Sequence, residues 1–286
     1  MKRAVWAALT AVTLLILPGK FAGALTFRAA LTPIHVTAQP GDVVNSTYFM
    51  TVIKAEHPTH FRVHAEDYYK NEDGSGNYLS PGHISHSCAN WIQLNPGEAT
   101  INVGEMLKVR MTIAVPTGAK PGGYWCVMTI DEVPDPDAVA SQQQQGRSIG
   151  VRSLTSISVN VYVDILPLDK EARIMSVQIG GDQAVLRVAD TGNCELTATG
   201  RIEFAKPGDD KSIAIAPIQK TSIFCEPVNT TSIKVDLPTT DVLPSGRYLV
   251  RVVLDIGLDH YIGAQKEMEI DRVPETNNTG AGTSPK

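Results

Sequence analysis

The feature that most constrains this chain is an alternation of apolar and polar residues between positions 91 and 134. Apolar side chains occupy every second position in two runs, which are Val109, Met111, Ile113 and Val115, then Tyr124, Cys126, Met128 and Ile130. A period of two is typical of strands that have one face in a core. Pro116 ends the first run, and residues 117–123 form a turn segment rich in Pro and Gly. The stretch therefore predicts two antiparallel strands joined by a corner.

The same β pattern continues on both sides of this stretch. Further strand candidates are residues 32–38, 43–52, 60–68, 91–94 and 149–165 in the first half, and 184–188, 196–204, 213–215, 232–237 and 248–254 in the second. The turn Gln39-Pro40-Gly41-Asp42 between the first two candidates predicts a β-hairpin. The first half shows no convincing helical period. Short strands with frequent turns predict an antiparallel sandwich of immunoglobulin type.

Chain length and an internal echo predict two related domains. The chain has 286 residues, of which 43% are hydrophobic, and this is enough for two cores. A corner precedes a tyrosine twice, in the segments 121–124 (PGGY) and 244–248 (PSGRY). We predict an all-β fold of two immunoglobulin-like antiparallel β-sandwich domains after a cleaved signal peptide. The predicted segments are signal peptide 1–24, N-terminal sandwich 25–165, linker 166–169, C-terminal sandwich 170–272 and disordered tail 273–286.

The first 24 residues have the pattern of a secretory signal. Lys2 and Arg3 precede an apolar run over residues 4–17, and the small residues Ala22-Gly23-Ala24 offer a cleavage site. A transmembrane helix is the alternative, but the run is shorter than the roughly 20 residues that span a bilayer. We expect a mature chain that begins near Leu25, has no integral membrane segment and resides in the periplasm or outside the cell.

The charge of the mature chain argues against nucleic-acid binding. The formal net charge is −5, and removal of Lys2, Arg3 and Lys20 with the signal changes it to −5 − 3 = −8. A nucleic-acid-binding domain normally carries a basic patch or stripe. We therefore predict no nucleic-acid partner.

The four cysteines are expected to be paired in an oxidising compartment. They are Cys88, Cys126, Cys194 and Cys225. Three pairings are possible, and the spacing favours one disulfide in each half, Cys88 with Cys126 and Cys194 with Cys225. Four reduced, buried thiols are the alternative. Closing loops of this length would contribute roughly 3–4 kcal/mol each in the chain-entropy account.

No motif predicts catalysis. The segment 146–150 (GRSIG) matches the nucleophile-elbow pattern, in which a strand precedes the serine and a helix follows it. Here the glutamine run 142–145 precedes the serine and a predicted strand follows it. We therefore predict no catalytic residue, no cofactor and no enzymatic activity.

Two clusters of metal-ligand residue types are weak candidates. The histidines are His60, His64, His83 and His86, and the acidic patch is Asp131, Glu132, Asp135 and Asp137. Surface histidines and a solvated turn are the favoured explanations of the two clusters, and the acidic spacing fits no known calcium loop. We predict no metal site and keep metal binding as an alternative function.

The order of features resembles the periplasmic pilus-assembly chaperones. The resemblance rests on the segment 92–97 (IQLNPG), the strand 107–115, the segment 128–134 (MTIDEVP) and a long loop that leads into the alternating strand 149–163. It covers most of residues 25–165. It implies two immunoglobulin-like domains, and a last strand of the first domain that adds to the open sheet of an incomplete fibre subunit. By position Ile149 and Val151 would be the donor side chains, with Leu154 out of register.

The same resemblance suggests residues that would hold the terminal carboxylate of a subunit. The family uses an arginine on the first strand and a lysine on the last strand of the first domain. In this chain Arg28 is the nearest first-strand candidate, and Arg152 is the only cation between positions 149 and 166. The lysine of the family pattern is missing.

The sequence as a whole predicts an exported, non-catalytic binding protein with a protein partner. The leading hypothesis is a chaperone-like or accessory factor that helps to assemble surface fibres through strand addition to a partner subunit. A structural or adhesive protein of the cell envelope is the alternative. A metal-binding exported protein is the second alternative.

Overall fold

The computed structural model describes residues 25–29, 32–55, 57–134 and 154–272, and it is built almost entirely of β-strands. The first ten strands are β1 Thr26–Ala29, β2 Ile34–Ala38, β3 Val43–Lys54, β4 Thr59–Lys70, β5 Gly76–Leu79, β6 Ile92–Asn95, β7 Glu98–Ile101, β8 Met106–Ala114, β9 Gly122–Val133 and β10 Ser156–Ile165. The other seven are β11 Ala172–Gly180, β12 Gln183–Asp190, β13 Leu196–Ala205, β14 Ser212–Ile223, β15 Thr230–Asp236, β16 Gly246–Asp255 and β17 Ile262–Ile270. A 3-10 helix spans Ala89–Trp91.

The strands form two sandwiches of two sheets each. In the first, β1-β3-β8-β6 faces β2-β10-β9-β4-β5, and β7 pairs with β4. In the second, β11-β12-β15 faces β14-β13-β16-β17. Neighbouring strands are antiparallel except β2 and β10, which are parallel. The predicted all-β fold of two immunoglobulin-like sandwiches is confirmed. None of the described residues forms a helix long and apolar enough to cross a membrane, and the predicted signal peptide and tail lie outside the described residues.

The alternating residues supply the cores, as predicted. The residues of the two opening runs that lie on β8 and β9 are buried in the first core, except the half-buried Tyr124. Val109, Ile113, Cys126 and Ile130 are fully inaccessible. On β10 the odd-numbered positions from 157 to 165 face the same core. Each sheet thus buries one apolar face, because every second side chain points inward.

In two places, strands that follow each other in the sequence lie in different sheets of the first sandwich; these are β2 and β3, and β8 and β9. The predicted hairpin over residues 32–52 is wrong, since β2 pairs with β10 while β3 pairs with β1 and β8. The turn at Gln39 and Asp42 is present, with the Gln39 amide donating to Asp42 Oδ2 at 2.8 Å. This turn carries the chain from one sheet to the other. The segment between β8 and β9 does the same, which is how an immunoglobulin-type sandwich closes around its core.

Each sandwich contains the same tyrosine corner. Tyr124 Oη donates to the carbonyl of Lys120 at 3.1 Å, and Tyr248 Oη donates to the carbonyl of Pro244 at 2.8 Å. In both cases the residue two positions before the tyrosine is a glycine with positive φ, +148° and +153°. A side chain rarely adopts this backbone conformation, so glycine is required. The echo in the sequence therefore reflects one shared turn geometry.

The strands absent from the prediction lie mostly at sheet edges. They are β1, β5, β7, β11 and β17. Each of them pairs with a single neighbouring strand. An edge strand covers little core and tolerates polar residues, so its alternation is weak in the sequence.

The second face of β9 is also buried, because the C-terminal sandwich covers it. Trp125 and Val127 pack with Tyr68, Tyr162 and Phe224 in a small cluster between the sandwiches. The ring centroids of Trp125 and Phe224 are 5.0 Å apart. Trp125 Nε1 donates to the Tyr68 carbonyl at 2.8 Å, so the buried indole nitrogen is satisfied. We call this cluster the domain contact.

Polar bonds between the sandwiches surround the domain contact. Glu72 Oε1 accepts from Arg187 Nε at 2.7 Å and from Ser232 Oγ at 3.0 Å. The Gly123 amide donates to the Asn193 carbonyl at 2.8 Å. A Cβ on Gly123 would lie 2.6 Å from the Cβ of Cys194, the residue after Asn193. Position 123 can therefore make this contact only if it is a glycine.

Phe224→Ala should destabilise the protein, because Phe224 is 1% exposed and its removal leaves a cavity against Trp125. We expect the free energy of unfolding to fall by about 3–5 kcal/mol, as measured by urea unfolding followed through tryptophan fluorescence. Tyr261→Ala is the control, since Tyr261 is 65% exposed. Equal stability of the two variants would contradict a packed domain contact.

Candidate protein-binding site

The strand β10 is covered on only part of its second side. It pairs with β9 along its whole length, Ser156 to Ile165, but with β2 only from Val161 onward. No strand among the described residues lies along the second side of residues 156–160. We call this stretch the open edge. Unpaired peptide groups along such an edge are a template for an added strand.

Two carboxylates hold the beginning of β10 against β9. Ser156 Oγ donates to Asp131 Oδ1 at 2.6 Å, and the Thr155 amide donates to Glu132 Oε2 at 3.1 Å. These carboxylates belong to the predicted acidic patch, whose other members Asp135 and Asp137 lie outside the described residues. Asp131 and Glu132 therefore fix the open edge in place.

The other end of β10 enters a cleft of about 490 Å³. The cleft lies between the sandwiches, since residues of both line it. The polar side chains that line it include His35, Tyr162, Asp164, Lys170, Glu195, Lys220 and Asp255. Tyr162 and Asp164 belong to β10. One strand thus connects the open edge with the cleft.

The cleft contains ionisable groups of both signs. The His35 ring stacks on Tyr162 with centroids 4.6 Å apart. Burial, assisted by the nearby charge of Glu195, raises the pKa of Tyr162 to about 12. Burial also raises the pKa values of Asp164 and Glu195; the charge of Lys170 opposes the shift of Asp164, and a hydrogen bond with Ser222 opposes that of Glu195. A polar or charged chain end could therefore find a complementary group in the cleft.

Sequence analysis missed these cleft residues. The apolar alternation on β10 covers only its odd-numbered positions, and Tyr162 is 8% exposed because the second sandwich covers it. A large aromatic residue outside the alternation was the available signal. The opposing residues on the second sandwich, Glu195 and Lys220, had no such signal.

The predicted partner-binding residues do not meet at the cleft among the described residues. Arg28 lies exposed on β1, where it pairs with Thr51 of β3, and it does not line the cleft. Ile149, Val151 and Arg152 lie outside the described residues. The cations that do line the cleft are Lys170 and Lys220.

The four candidate histidines have separate partners. His60 Nε2 lies 3.4 Å from Glu98, and His64 Nε2 lies 3.5 Å from Glu66. His83 Nδ1 donates to the Ser80 carbonyl and His86 Nδ1 to the Gly123 carbonyl, both at 2.7 Å. Within the described ranges, no three His, Cys, Asp or Glu side chains are arranged to hold a metal ion.

All four cysteines are free thiols in the structure. Cys88 and Cys126 lie side by side in the first core, with their sulfurs 3.0 Å apart. Burial raises the pKa of Cys126 well above its usual value, and the hydrogen bond from Cys88 adds to this. Burial raises the pKa values of Cys194 and Cys225 to about 12. Cys88 and Cys126, which were predicted to pair, are neighbours in the structure. The predicted disulfides themselves are not present.

A buried carboxyl group lies at the end of β12 in the C-terminal sandwich. This residue, Asp190, is 1% exposed, and its Oδ1 accepts from the Gly192 amide at 2.9 Å. Burial raises its pKa to about 7, and the negative charges of Glu195 and Asp169 contribute. An unfolded aspartate titrates near pH 4. Between these pH values the folded chain binds more protons than the unfolded chain, so this group makes stability fall as pH rises.

Asp190→Asn should therefore stabilise the protein increasingly as pH rises from about 4 to about 7, with a constant gain above that range. The measurement is the difference in unfolding temperature between variant and wild type across this pH range. Asp241→Asn, at an exposed turn, is the control and should follow the wild type. A difference for Asp190→Asn that does not change with pH would contradict the raised pKa.

No protein-family model matches the chain, and no curated protein sequence matches it. Solved structures of fimbrial chaperones do match. The class 5 fimbriae chaperone CfaA is 11% identical, with a TM-score of 0.44 over 84% of this chain and 99% of its own. The Pseudomonas aeruginosa CupB2 chaperone is 11% identical, with a TM-score of 0.42 over 85% and 100%. The Salmonella enterica SafA pilin in complex with the SafB chaperone gives 13% identity and a TM-score of 0.41 over 87% and 98%.

Proposed function

We propose that this chain is an exported, non-catalytic, chaperone-like protein that binds a fibre subunit by strand addition along β10. The observation that carries the proposal is the open edge at residues 156–160, where β10 has a strand on one side only. A partner strand laid there would continue the sheet and satisfy the exposed peptide groups. The partner strand would lie beside residues 156–160 and continue toward the cleft.

The register of β10 supports Ile149 and Val151 as donors. Odd-numbered positions of β10 point into the core, as Ile157 and Val159 do at 4% and 1% exposure. A strand extended without a bulge toward its N-terminus would place Ile149 and Val151 on the same side. These apolar side chains would then enter the core of an incomplete partner sandwich. Leu154 has the opposite parity and is 50% exposed.

The cleft provides a place for the end of the partner chain. Lys170 and Lys220 line it where β10 ends, and a terminal carboxylate would pair with such cations. In this arrangement they take the role that the sequence suggested for Arg28 and Arg152. The lysine missing from the last strand of the first domain is thus replaced by lysines that follow that strand or lie on the second sandwich.

The proposal predicts that this protein keeps an aggregation-prone fibre subunit soluble when the two are coexpressed and exported. Ile149→Asp and Val151→Asp should reduce the soluble subunit strongly, because a charge cannot enter the partner core without a large desolvation penalty. The measurement is the amount of subunit in the soluble fraction and in complex with this protein after affinity purification.

Leu154→Asp is the matched control for this experiment. It introduces the same charge in the same segment, but on the opposite side of the strand, and should leave the soluble subunit unchanged. Equal effects of all three variants, or none from any of them, would refute strand donation through Ile149 and Val151.

Export also predicts oxidation of Cys88 and Cys126. Their sulfurs are 3.0 Å apart, so a disulfide could form by exchange with an oxidising disulfide, with little rearrangement of the core. Protein recovered from the exported fraction should give a linked Cys88–Cys126 peptide in a non-reducing map. Protein expressed without residues 1–24 in the cytosol serves as the reduced reference. Full alkylation of both thiols in the exported protein would contradict this prediction.

A further inference from the structure

The outer face of the sheet β1-β3-β8-β6 carries cations and no carboxylates. Its cations are Arg28 on β1 and Lys108 and Arg110 on β8, and all three are exposed. The outward positions of the four strands contain no Asp or Glu. We call this surface the basic face. Glu105, just before β8, is bonded to Asn102 at the sheet end.

The strand register brings the three cations together. On β3, Thr51 pairs with both Arg28 and Met106. The next outward positions of β3 pair with Lys108 and then with Arg110. With strands about 4.8 Å apart and like-facing residues about 6.8 Å apart along a strand, the backbone positions of the three cations fall within roughly 17 Å.

These cations have no ionic partners among the described residues, in contrast to the arginines on the sheet β14-β13-β16-β17 of the C-terminal sandwich. On that sheet the arginines are paired, as Arg201 with Glu203 at 2.6 Å, Arg247 with Glu267 at 2.7 Å and Arg251 with Asp210 at 3.4 Å. An uncompensated positive surface on a chain with net charge −5 points to a separate anionic ligand.

Large apolar side chains share the basic face with the cations. Phe49 is 46% exposed, Ile53 44% and Met106 60%. Lys108 Nζ lies 5.9 Å from the centre of the Phe49 ring, so apolar and cationic groups are direct neighbours. A flat surface with this mixture can place apolar side chains at the boundary between lipid headgroups and acyl chains, while its cations contact the headgroups.

We propose that the basic face binds the surface of a membrane that contains anionic phospholipids. The cations alone would suit any anionic polymer or acidic protein. The exposed phenylalanine, isoleucine and methionine among them add an apolar contact that a phospholipid surface provides across the whole width of the sheet. Binding would be reversible, since three cations and a few partly inserted side chains give far less affinity than a spanning helix.

The test is sedimentation of the purified chain beginning at Leu25 with vesicles, because the apolar residues before Leu25 would themselves bind lipid. Vesicles of equal parts phosphatidylglycerol and phosphatidylcholine should bind it, pure phosphatidylcholine should not, and added salt should weaken binding. The double variant Lys108→Glu with Arg110→Glu should lower the affinity by about tenfold or more. Phe49→Ala should also weaken it.

Control variants separate this site from general charge effects. Arg247→Glu with Lys266→Glu makes the same charge change on the C-terminal sandwich and should bind as the wild type does. If Lys108→Glu with Arg110→Glu does not fold, as judged by its thermal transition, Lys108→Gln with Arg110→Gln replaces it. The proposal is overturned if the vesicles do not bind, or if the control variant loses as much affinity. It is also overturned if polyglutamate binds equally well and Phe49→Ala has no effect on vesicles, since the surface would then recognise an acidic chain.

Discussion

The packing of Phe224 against Trp125 is the contact on which the arrangement of the two sandwiches depends. It buries the second face of β9, which would otherwise expose Trp125 and Val127 to water. Because large aromatic side chains bury much apolar area, this small cluster supplies a substantial part of the interaction between the domains. The polar bonds of Glu72 around the cluster contribute little to the free energy of the domain contact, since both partners are partly exposed to solvent. They mainly fix the relative orientation of the two sandwiches.

The position of the cleft follows from this contact. With the sandwiches joined through β9, the neighbouring strand β10 passes beside the junction, and its polar face closes one wall of the cleft. The parallel pairing of β2 covers β10 only near this junction, so the rest of the strand keeps an open edge. The two features that suit a partner chain are therefore consequences of one strand and its incomplete neighbour.

Charge is distributed unevenly over this framework. At the junction Glu72 is bonded to an arginine, and on the C-terminal sandwich Glu203 is bonded to an arginine and a hydroxyl group. Within the described part of the chain, no carboxylate is paired with the cations of the basic face on the opposite side of the first sandwich. A partner at β10 and an anionic surface at β3 and β8 would therefore occupy separate sheets of the same domain and would not compete for space.

Periodicity in the sequence determined the fold class, the inward faces of β8, β9 and β10, and the repeated tyrosine corner. These are local properties, because a period of two and a glycine with positive φ depend on neighbouring residues alone. Only the tertiary structure decided that β2 pairs with β10 and not with β3, and that Trp125 and Tyr162 are buried. Those outcomes depend on which distant strand or domain covers a surface. An alternating pattern in the sequence is the same whether the second face of the strand contacts water or another sandwich.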